Sequence, residues 1–152
     1  MAAESALIAE YLYGKINVSA VTNALGSVSR IYDTDVPQEA ISGTAIFPCV
    51  VYQQQSAVDS FTAGNMGARI FQRPLWTVKV IVDEQTYKTA EGIYQLVDAA
   101  IQGTSGTVTN GSIYSCYRED QNIRYSEAKL GGGYFRHVGG TYRLEARATQ
   151  TP

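Results

Sequence analysis

The feature that most constrains this chain is a change of hydrophobic period between residues 70 and 102. Residues 70–83 alternate between two faces, as a strand does. One face carries Trp76, Val78, Val80 and Val82, and the other carries Leu75, Thr77, Lys79 and Ile81. Residues 86–102 then follow the helical period, with one wide apolar stripe formed by Ala90, Ile93, Tyr94, Val97, Ala100 and Ile101. This succession predicts a helix that packs on one face of a sheet.

The remaining periodic segments complete an α+β pattern. Helical spacing predicts a helix over 3–14 that ends at Gly14, and a second helix with Asn17 as its N-cap and Gly26 as its stop. Short strands are predicted over 28–32, 45–53, 113–118 and 141–148, and in the last of these Tyr142, Leu144, Ala146 and Ala148 are predicted to face inward. We therefore expect an N-terminal helical pair and a mostly antiparallel sheet with one long helix, about 86–102, packed on it.

Three segments lack an apolar period and are predicted to be connectors. Residues 54–68 are polar and contain glycine, and they read as a long loop or a flexible hairpin arm, a kind of segment that is usually functional. Residues 103–111 are rich in Gly, Ser and Thr. Residues 119–140 are charged and are punctuated by Gly131-Gly132-Gly133 and by Gly139-Gly140.

Composition favours a chain that works within an assembly. The 152 residues suit one domain, and only 17% are charged, against about 25% in average domains. Tyrosine, which is typical of interfaces, occurs 11 times. The net charge of −2 argues against a nucleic-acid binder that relies on bulk basic charge, and no apolar run is long enough to span a membrane. Cys49 and Cys116 are predicted to be reduced and buried.

The sequence contains no recognisable catalytic or metal-binding motif. One histidine and two cysteines that lie far apart do not supply a zinc site. A Ser-His-acid arrangement would need His137, but no G-x-S-x-G elbow is present, and we expect His137 to be a surface or interface residue. The glycine runs do not match a phosphate-binding loop, and the acidic pairs Asp83-Glu84 and Glu119-Asp120 are expected to be solvated.

The arginines leave three readings open. Arginine outnumbers lysine by eight to four, and most of the arginines lie in the second half of the chain, often beside aromatic residues. They could form a groove that stacks single-stranded nucleic acid, an inter-subunit surface, or ordinary exposed strand faces.

Several short motifs, in their order and spacing, resemble the tail terminator (tail-completion, head-to-tail joining) proteins of long-tailed bacteriophages. The chain reads Arg30-Ile31-Tyr32-Asp33, then Val36-Pro37-Gln38, then Phe47-Pro48-Cys49-Val50-Val51-Tyr52. The later strand, helix and strand follow in the same order, and the chain closes with Gly140-Thr141-Tyr142-Arg143-Leu144-Glu145. The similarity covers about residues 4–148, although Cys49 stands where the family more often has an aromatic residue.

This resemblance implies a structural virion protein, made in the host cytoplasm, and not an enzyme. Residues 1–152 would form a single tail-terminator-like domain with an arm at about 54–73. Its partners would be further copies of itself in a ring, commonly a hexamer, together with the tail tube protein and the head connector or neck proteins. The ring would cap the tail tube, end its polymerisation and join the tail to the head, and DNA would pass through the lumen without sequence-specific binding. The family implies no cofactor, metal or membrane.

Two segments are candidate interfaces, inferred from the residues and not from the family pattern. The first is the arm, with Phe61, Met66, Arg69, Phe71 and Arg73, and the second is 124–137, with Tyr125, Tyr134, Phe135 and Arg136. The alternative for Phe61 and Phe71 is a satellite cluster under their own loop. If the arm makes the contact, charge reversal at Arg69 or Arg73 should leave a folded monomer that no longer assembles.

Three other functions stay open at this point. Head-completion or stopper proteins form related neck rings from small α+β folds. A small monomeric enzyme or ligand binder could use His137 with a carboxylate such as Glu127 or Glu145. A nucleic-acid-binding module would show strong, salt-dependent affinity for DNA.

Overall fold

One large sheet organises the part of the chain that the structure describes, with all the helices on one of its faces. The computed structural model describes residues 4–27, 30–36, 47–57, 59–61 and 69–149, and for residues 59–61 and 69–71 it gives the backbone alone. The helices are α1 (Glu4–Ile16), α2 (Ser19–Leu25) and α3 (Lys88–Ile101). The strands are β1 (Ile31–Asp33), β2 (Cys49–Ser56), β3 (Asp59–Phe61), β4 (Arg69–Gln72), β5 (Leu75–Val82), β6 (Thr104–Val108), β7 (Gly111–Ala128) and β8 (Tyr134–Ala148).

Two long hairpins form most of the sheet. In the first, β2 pairs with β5 from Cys49 opposite Ile81 to Ser56 opposite Leu75, and β3 pairs with β4 from Asp59 opposite Gln72 to Phe61 opposite Arg69. In the second, β7 pairs with β8 from Gly111 opposite Ala148 to the turn after Ala128. The hairpins join where β5 and β4 lie antiparallel to β8, while β6 pairs with the start of β7. The pair β1–β2 alone is parallel, so the α+β class with a mostly antiparallel sheet is confirmed for the described residues.

The alternation of β5 sorts its side chains as the sequence predicts. Trp76, Val78, Val80 and Val82 are buried in the main core between the sheet and the helices. On the opposite face, Ile81 joins Cys49 and Val51 in a second, smaller core, which Tyr32, Val36, Phe47 and Phe135 surround. Both faces of β2 and β5 are therefore covered at one end of the sheet.

Helix α3 presents its predicted stripe to the main core, but it is not the one long helix. Ala90, Ile93, Tyr94, Val97 and Ile101 are buried, and Ala100 packs against them. Helix α1 has 13 residues and α3 has 14, so the two are of similar length. The first helix also passes through Gly14 and ends at Ile16, whose side chain is fully buried. That burial outweighs the cost of about 1 kcal/mol that glycine imposes on a helix interior.

Of the two predicted ends of the second helix, the structure confirms the C-terminal one. Gly26 follows α2 in the left-handed conformation (φ 84°), and its amide donates to the Thr22 carbonyl. At the other end the N-cap is Val18, and not Asn17, because Val18 has extended backbone angles immediately before the helix.

Two predicted connectors are strands. The segment 103–111 contains β6 and forms a hairpin with β7. Most of 119–140 belongs to the long hairpin of β7 and β8, whose turn occupies 129–133. Gly139 and Gly140 are buried in the middle of β8, and a Cβ at Gly139 would collide with the backbone of Val78 and Lys79 in β5. These two glycines permit close strand approach and do not mark a turn.

Buried polar groups tie the sheet to helix α3. The hydroxyl of Tyr142 donates to Asp98 Oδ1 at 2.5 Å and lies 2.7 Å from the hydroxyl of Tyr94. The guanidinium of Arg118 reaches the second oxygen of Asp98 at 3.2 Å. In the described part of the chain, no helix combines the length and the apolar character that a membrane span requires.

Candidate assembly surfaces

The two hairpins end at opposite ends of the sheet. Residue pairing between β5 and β8 runs from Val82 opposite Arg136 to Leu75 opposite Arg143, and Gln72 lies opposite Ala146. The turn at 129–133 therefore lies beyond the start of β8, and the β3–β4 hairpin lies at the end of β8. With a rise of about 3.3 Å per residue, the 15 residues of β8 separate these ends by about 45 Å. The two hairpins are thus separate elements at opposite ends of the sheet.

The first predicted surface, the arm at 54–73, is partly strand. Its β2 residues reach Ser56, and β3 pairs with β4 in antiparallel fashion, while the arm as a contact element stays a prediction. Met66 lies outside the described residues, as do the side chains of Phe61, Arg69 and Phe71.

The described end of the arm is anchored to β8. The guanidinium of Arg73 lies 3.2 Å from a carboxylate oxygen of Glu145, and Arg143 donates to the Arg73 carbonyl at 3.0 Å. Half of the Arg73 side chain stays exposed. Arg73 is thus already paired within the subunit, although it remains accessible to a partner.

The second predicted surface, residues 124–137, divides into exposed and packed side chains. Tyr125 and Tyr134 are about half exposed. In contrast, the ring of Phe135 packs on Phe47 with centroids 4.6 Å apart. The guanidinium of Arg136 lies over the Tyr134 ring at 5.1 Å.

Arg136 also holds the hairpin to the segment before α3. It donates to the Gln85 carbonyl at 3.1 Å and to the Ser126 hydroxyl, and it lies 5.3 Å from the Tyr87 ring. Arg124 stacks on the other side of this cluster, 4.0 Å from Tyr87. These cation–π contacts and hydrogen bonds fix the direction of the second hairpin. An interface role for the residues of this surface stays a prediction.

The sequence reading missed the tip of this hairpin. Leu130 is fully exposed in the turn, and Gly131, Gly132 and Gly133 follow it with φ of 90°, 104° and 83°. Such angles favour glycine, so the run builds the turn that holds Leu130 outward. The sequence signal that could have indicated this exposed turn is a single aliphatic residue directly before three glycines.

His137 is buried within the subunit, so the surface alternative is wrong, and the interface alternative stays a prediction. Its side chain is 3% exposed, and its Nε2 lies 3.0 Å from Glu127 Oε2. The ring of Tyr125 stacks on it with centroids 4.3 Å apart, and Lys79 Nζ donates to the Tyr125 hydroxyl at 3.1 Å. Burial and the Lys79 ammonium lower the pKa of His137 against the opposing effect of Glu127.

A cavity of about 210 Å³ opens beside this histidine on the face of the sheet away from the helices. Its wall combines the apolar residues of the second core with polar side chains. The lining residues are Thr34, Asp35, Val36, Phe47, Val51, Lys79, Ile81, Glu127, Phe135 and His137.

The geometry of the cavity gives weak support to catalysis. His137 does pair with Glu127, one of the two carboxylates suggested, whereas Glu145 pairs with Arg73. The lining contains neither serine nor cysteine, and burial raises the pKa of the Cys49 thiol to about 12. Over the described ranges, no three His, Cys, Asp or Glu side chains converge as metal ligands would.

The comparisons with known proteins point to phage tails. The profile of the family described as tail completion protein gp17 matches residues 16–138. A chain in the solved structure "Virion of native gene transfer agent (GTA) particle" is similar in fold, with a TM-score of 0.68 at 13% identity, covering 96% of this chain and 98% of that one. No curated protein sequence gives a significant match.

Proposed function

This chain belongs to the family of tail completion protein gp17, and we propose that it forms a ring that caps the tail tube and joins the tail to the head. As a member of that family it is a structural protein of the phage tail, and its place is the virion. The proposed ring is a hexamer of single tail-terminator-like domains, each comprising residues 1–152. It ends tail polymerisation by occupying the open end of the tube.

The observation that carries this proposal is the opposed direction of the two hairpins. A closed ring with heterologous interfaces needs two different patches on each subunit. A protein that joins two larger structures also needs a contact element at each end. The β3–β4 hairpin and the turn at 129–133, about 45 Å apart along β8, supply such elements.

The paired arginines favour DNA passage without sequence-specific binding. Each of four arginines lies within ion-pair distance of a carboxylate, in the pairs Arg73–Glu145, Arg118–Asp98, Arg124–Glu91 and Arg143–Glu119. A guanidinium that is already paired gains less from a phosphate, because it must first give up its carboxylate partner. This pattern supports a structural role over the nucleic-acid-binding alternative.

The proposal also assigns no enzymatic activity and no cofactor to this chain. The buried, neutral imidazole of His137 and the unreactive Cys49 thiol support that assignment. The family itself consists of structural tail proteins.

The test is the mass and shape of the purified chain, alone and mixed with tail tubes. Light scattering and negative-stain microscopy should show rings, or caps at the ends of tubes. The control is the same mixture with DNA-filled heads that lack tails. Binding to heads alone would favour a head-completion or stopper role, and a monomer that ignores both would contradict the ring proposal.

A further inference from the structure

The tip of the second hairpin and the cavity beside His137 form a complementary pair. Leu130 is the most exposed of the large apolar side chains in the described ranges. A single exposed leucine is ordinary in a protein surface. This one, however, stands at the end of two strands whose direction is fixed by the contacts of Arg136.

The cavity is suited to receive an aliphatic side chain. Val36, Phe47, Val51, Ile81 and Phe135 form its apolar wall, and its volume of about 210 Å³ leaves room for a leucine. Filling it would remove apolar surface of both partners from water, which is the main favourable term in association.

One buried atom in this region lacks a partner within the described part of the subunit. Nδ1 of His137 is enclosed and makes no hydrogen bond there. Because Glu127 accepts from Nε2–H, the neutral ring leaves Nδ1 as an acceptor. An unsatisfied buried acceptor costs free energy, and Nδ1 is enclosed within the subunit, so this atom does not take part in the proposed contact.

The tip and the cavity lie near the same end of the sheet. Phe135 and His137, which line the cavity, are among the first residues of β8 after the turn. A rotation that relates two copies can therefore bring the tip of one copy near the cavity of the next. Leu130 remains fully exposed in its own subunit, which leaves it free to enter another.

Charge at the two sites is nearly balanced within each subunit. Lys129 stands beside Leu130 at the tip, where it pairs with Asp83 of its own subunit at 2.5 Å. The cavity lining carries the carboxylates of Asp35 and Glu127 against the single ammonium of Lys79. The Lys129–Asp83 pair carries no net charge and the lining carries one excess negative charge, so charge neither drives nor opposes a contact between the two sites.

We propose that Leu130 of one copy enters the cavity beside His137 of the neighbouring copy and forms one part of the heterologous contact of the ring. This inference rests on the proposed ring function and names one contact between neighbouring copies in the ring. The partner is thus a second copy of this chain.

The first experiment uses one defect on each side of the contact. Leu130→Asp spoils the tip and leaves the cavity intact, and Val36→Trp fills the cavity and leaves the tip intact. Each variant alone should lower the yield of rings about tenfold or more, since a central apolar anchor is lost. Circular dichroism and thermal unfolding would check that both variants fold.

Mixing the two variants gives a result that only a heterologous contact predicts. In a 1:1 mixture, the intact tip of Val36→Trp can enter the intact cavity of Leu130→Asp. The remaining tip and cavity of that pair are both defective, so assembly should stop at a dimer of one copy of each. Unimpaired rings of Leu130→Asp, or a mixture that stays monomeric beside two folded variants, would overturn the inference.

A cross-linking experiment covers the case in which Val36→Trp does not fold. The double variant Leu130→Cys with Val36→Cys, oxidised alone and on tail tubes, should give a ladder of covalent oligomers that ends at the ring size. Each single-cysteine variant is the control and should give no ladder beyond a dimer. Rings without a ladder would overturn this contact and leave the ring function standing, whereas the absence of rings and caps in the wild type would overturn both.

Discussion

Tyr142 in β8 and Asp98 in α3 are joined by a 2.5 Å hydrogen bond in which the phenol donates to the carboxylate. Burial, together with the hydrogen bonds to Asp98 and Tyr94, raises the pKa of Tyr142 well above its ordinary value. The phenol therefore stays protonated and remains a donor at any physiological pH. This bond connects the helix that covers the sheet to the strand that joins the two hairpins.

Tyr142→Phe should destabilise the protein by about 1–3 kcal/mol, because it removes the hydrogen bonds that the buried phenol makes with Asp98 and Tyr94. Urea unfolding measures the difference. Tyr117→Phe, at a side chain that is 55% exposed, is the matched control and should change stability by less than about 0.5 kcal/mol. Equal effects of the two substitutions would show that the buried network contributes little.

Gly139→Ala should destabilise the protein by about 3 kcal/mol or more, because the added methyl meets the backbone of Val78 and Lys79. The control is Gly92→Ala on α3, where the added methyl meets no neighbour. That change should stabilise the protein by about 0.5–1 kcal/mol through helix propensity. The midpoints of thermal unfolding of the two variants should therefore shift in opposite directions from that of the wild type. An unchanged midpoint for Gly139→Ala would contradict the close approach of β5 and β8.

Stability should fall as the pH is lowered through the ordinary titration range of histidine. The pKa of His137 is lowered in the folded state by burial and by Lys79, so the unfolded chain binds the proton first, beginning near its ordinary pKa of 6.5. Between that pKa and the lower folded value, the free energy of unfolding decreases as the pH decreases. His137→Gln should flatten this slope between about pH 5.5 and 6.5, where carboxylates contribute little. An unchanged slope would contradict the lowered pKa.

Charge reversal at Arg73 should prevent assembly and leave the fold intact. Arg73→Glu places a carboxylate against Glu145, but the site is half exposed, so the cost in stability should stay within about 1 kcal/mol. The double variant Arg73→Glu with Glu145→Arg restores an ion pair within the subunit. If Arg73 contacts a neighbour, the double variant should still fail to assemble in light scattering. Recovery of rings would instead show that Arg73 acts through Glu145.

Neither cysteine should react with a thiol reagent in the folded protein. Cys49 and Cys116 are fully buried, and burial raises the pKa of each thiol to about 12. Absorbance titration at pH 8 should therefore detect no thiol before unfolding and two afterwards. Rapid reaction of the native protein would show that one of the two sites opens.

The parts of the fold that could be predicted are those in which local period and burial agree. Residues 75–82 alternate because both faces of β5 are covered, and the stripe of α3 follows from its position on the sheet. Residues 119–140 were misread because charge and glycine are local turn signals, whereas the pairing of β7 with β8 depends on register between distant residues. Glycine is required at position 139 because the backbone of β5 lies against it. No residue near position 139 in the sequence indicates that contact.

The two candidate surfaces stay predictions, and the sequence could not show which of their side chains are exposed. Aromatic residues between glycines located the second hairpin, but the sequence could not separate exposed Tyr134 from packed Phe135. His137 is buried because Tyr125 and Glu127 reach it across the hairpin, and that contact requires the β7–β8 register. The sequence did not predict Leu130 as part of a surface, because a single aliphatic residue forms no periodic hydrophobic pattern.

Because the two hairpins point to opposite ends of the sheet, the length of the paired strands sets the distance between the hairpin ends. Side chains alternate along every strand, so inserting one residue into each paired strand would exchange the core face of the sheet with the open face. Inserting two preserves the faces and moves the hairpin ends apart by about 7 Å. Relatives that fit necks of different height should therefore differ by even numbers of residues in β5, β7 and β8, and the span between head and tail should change in steps of that size.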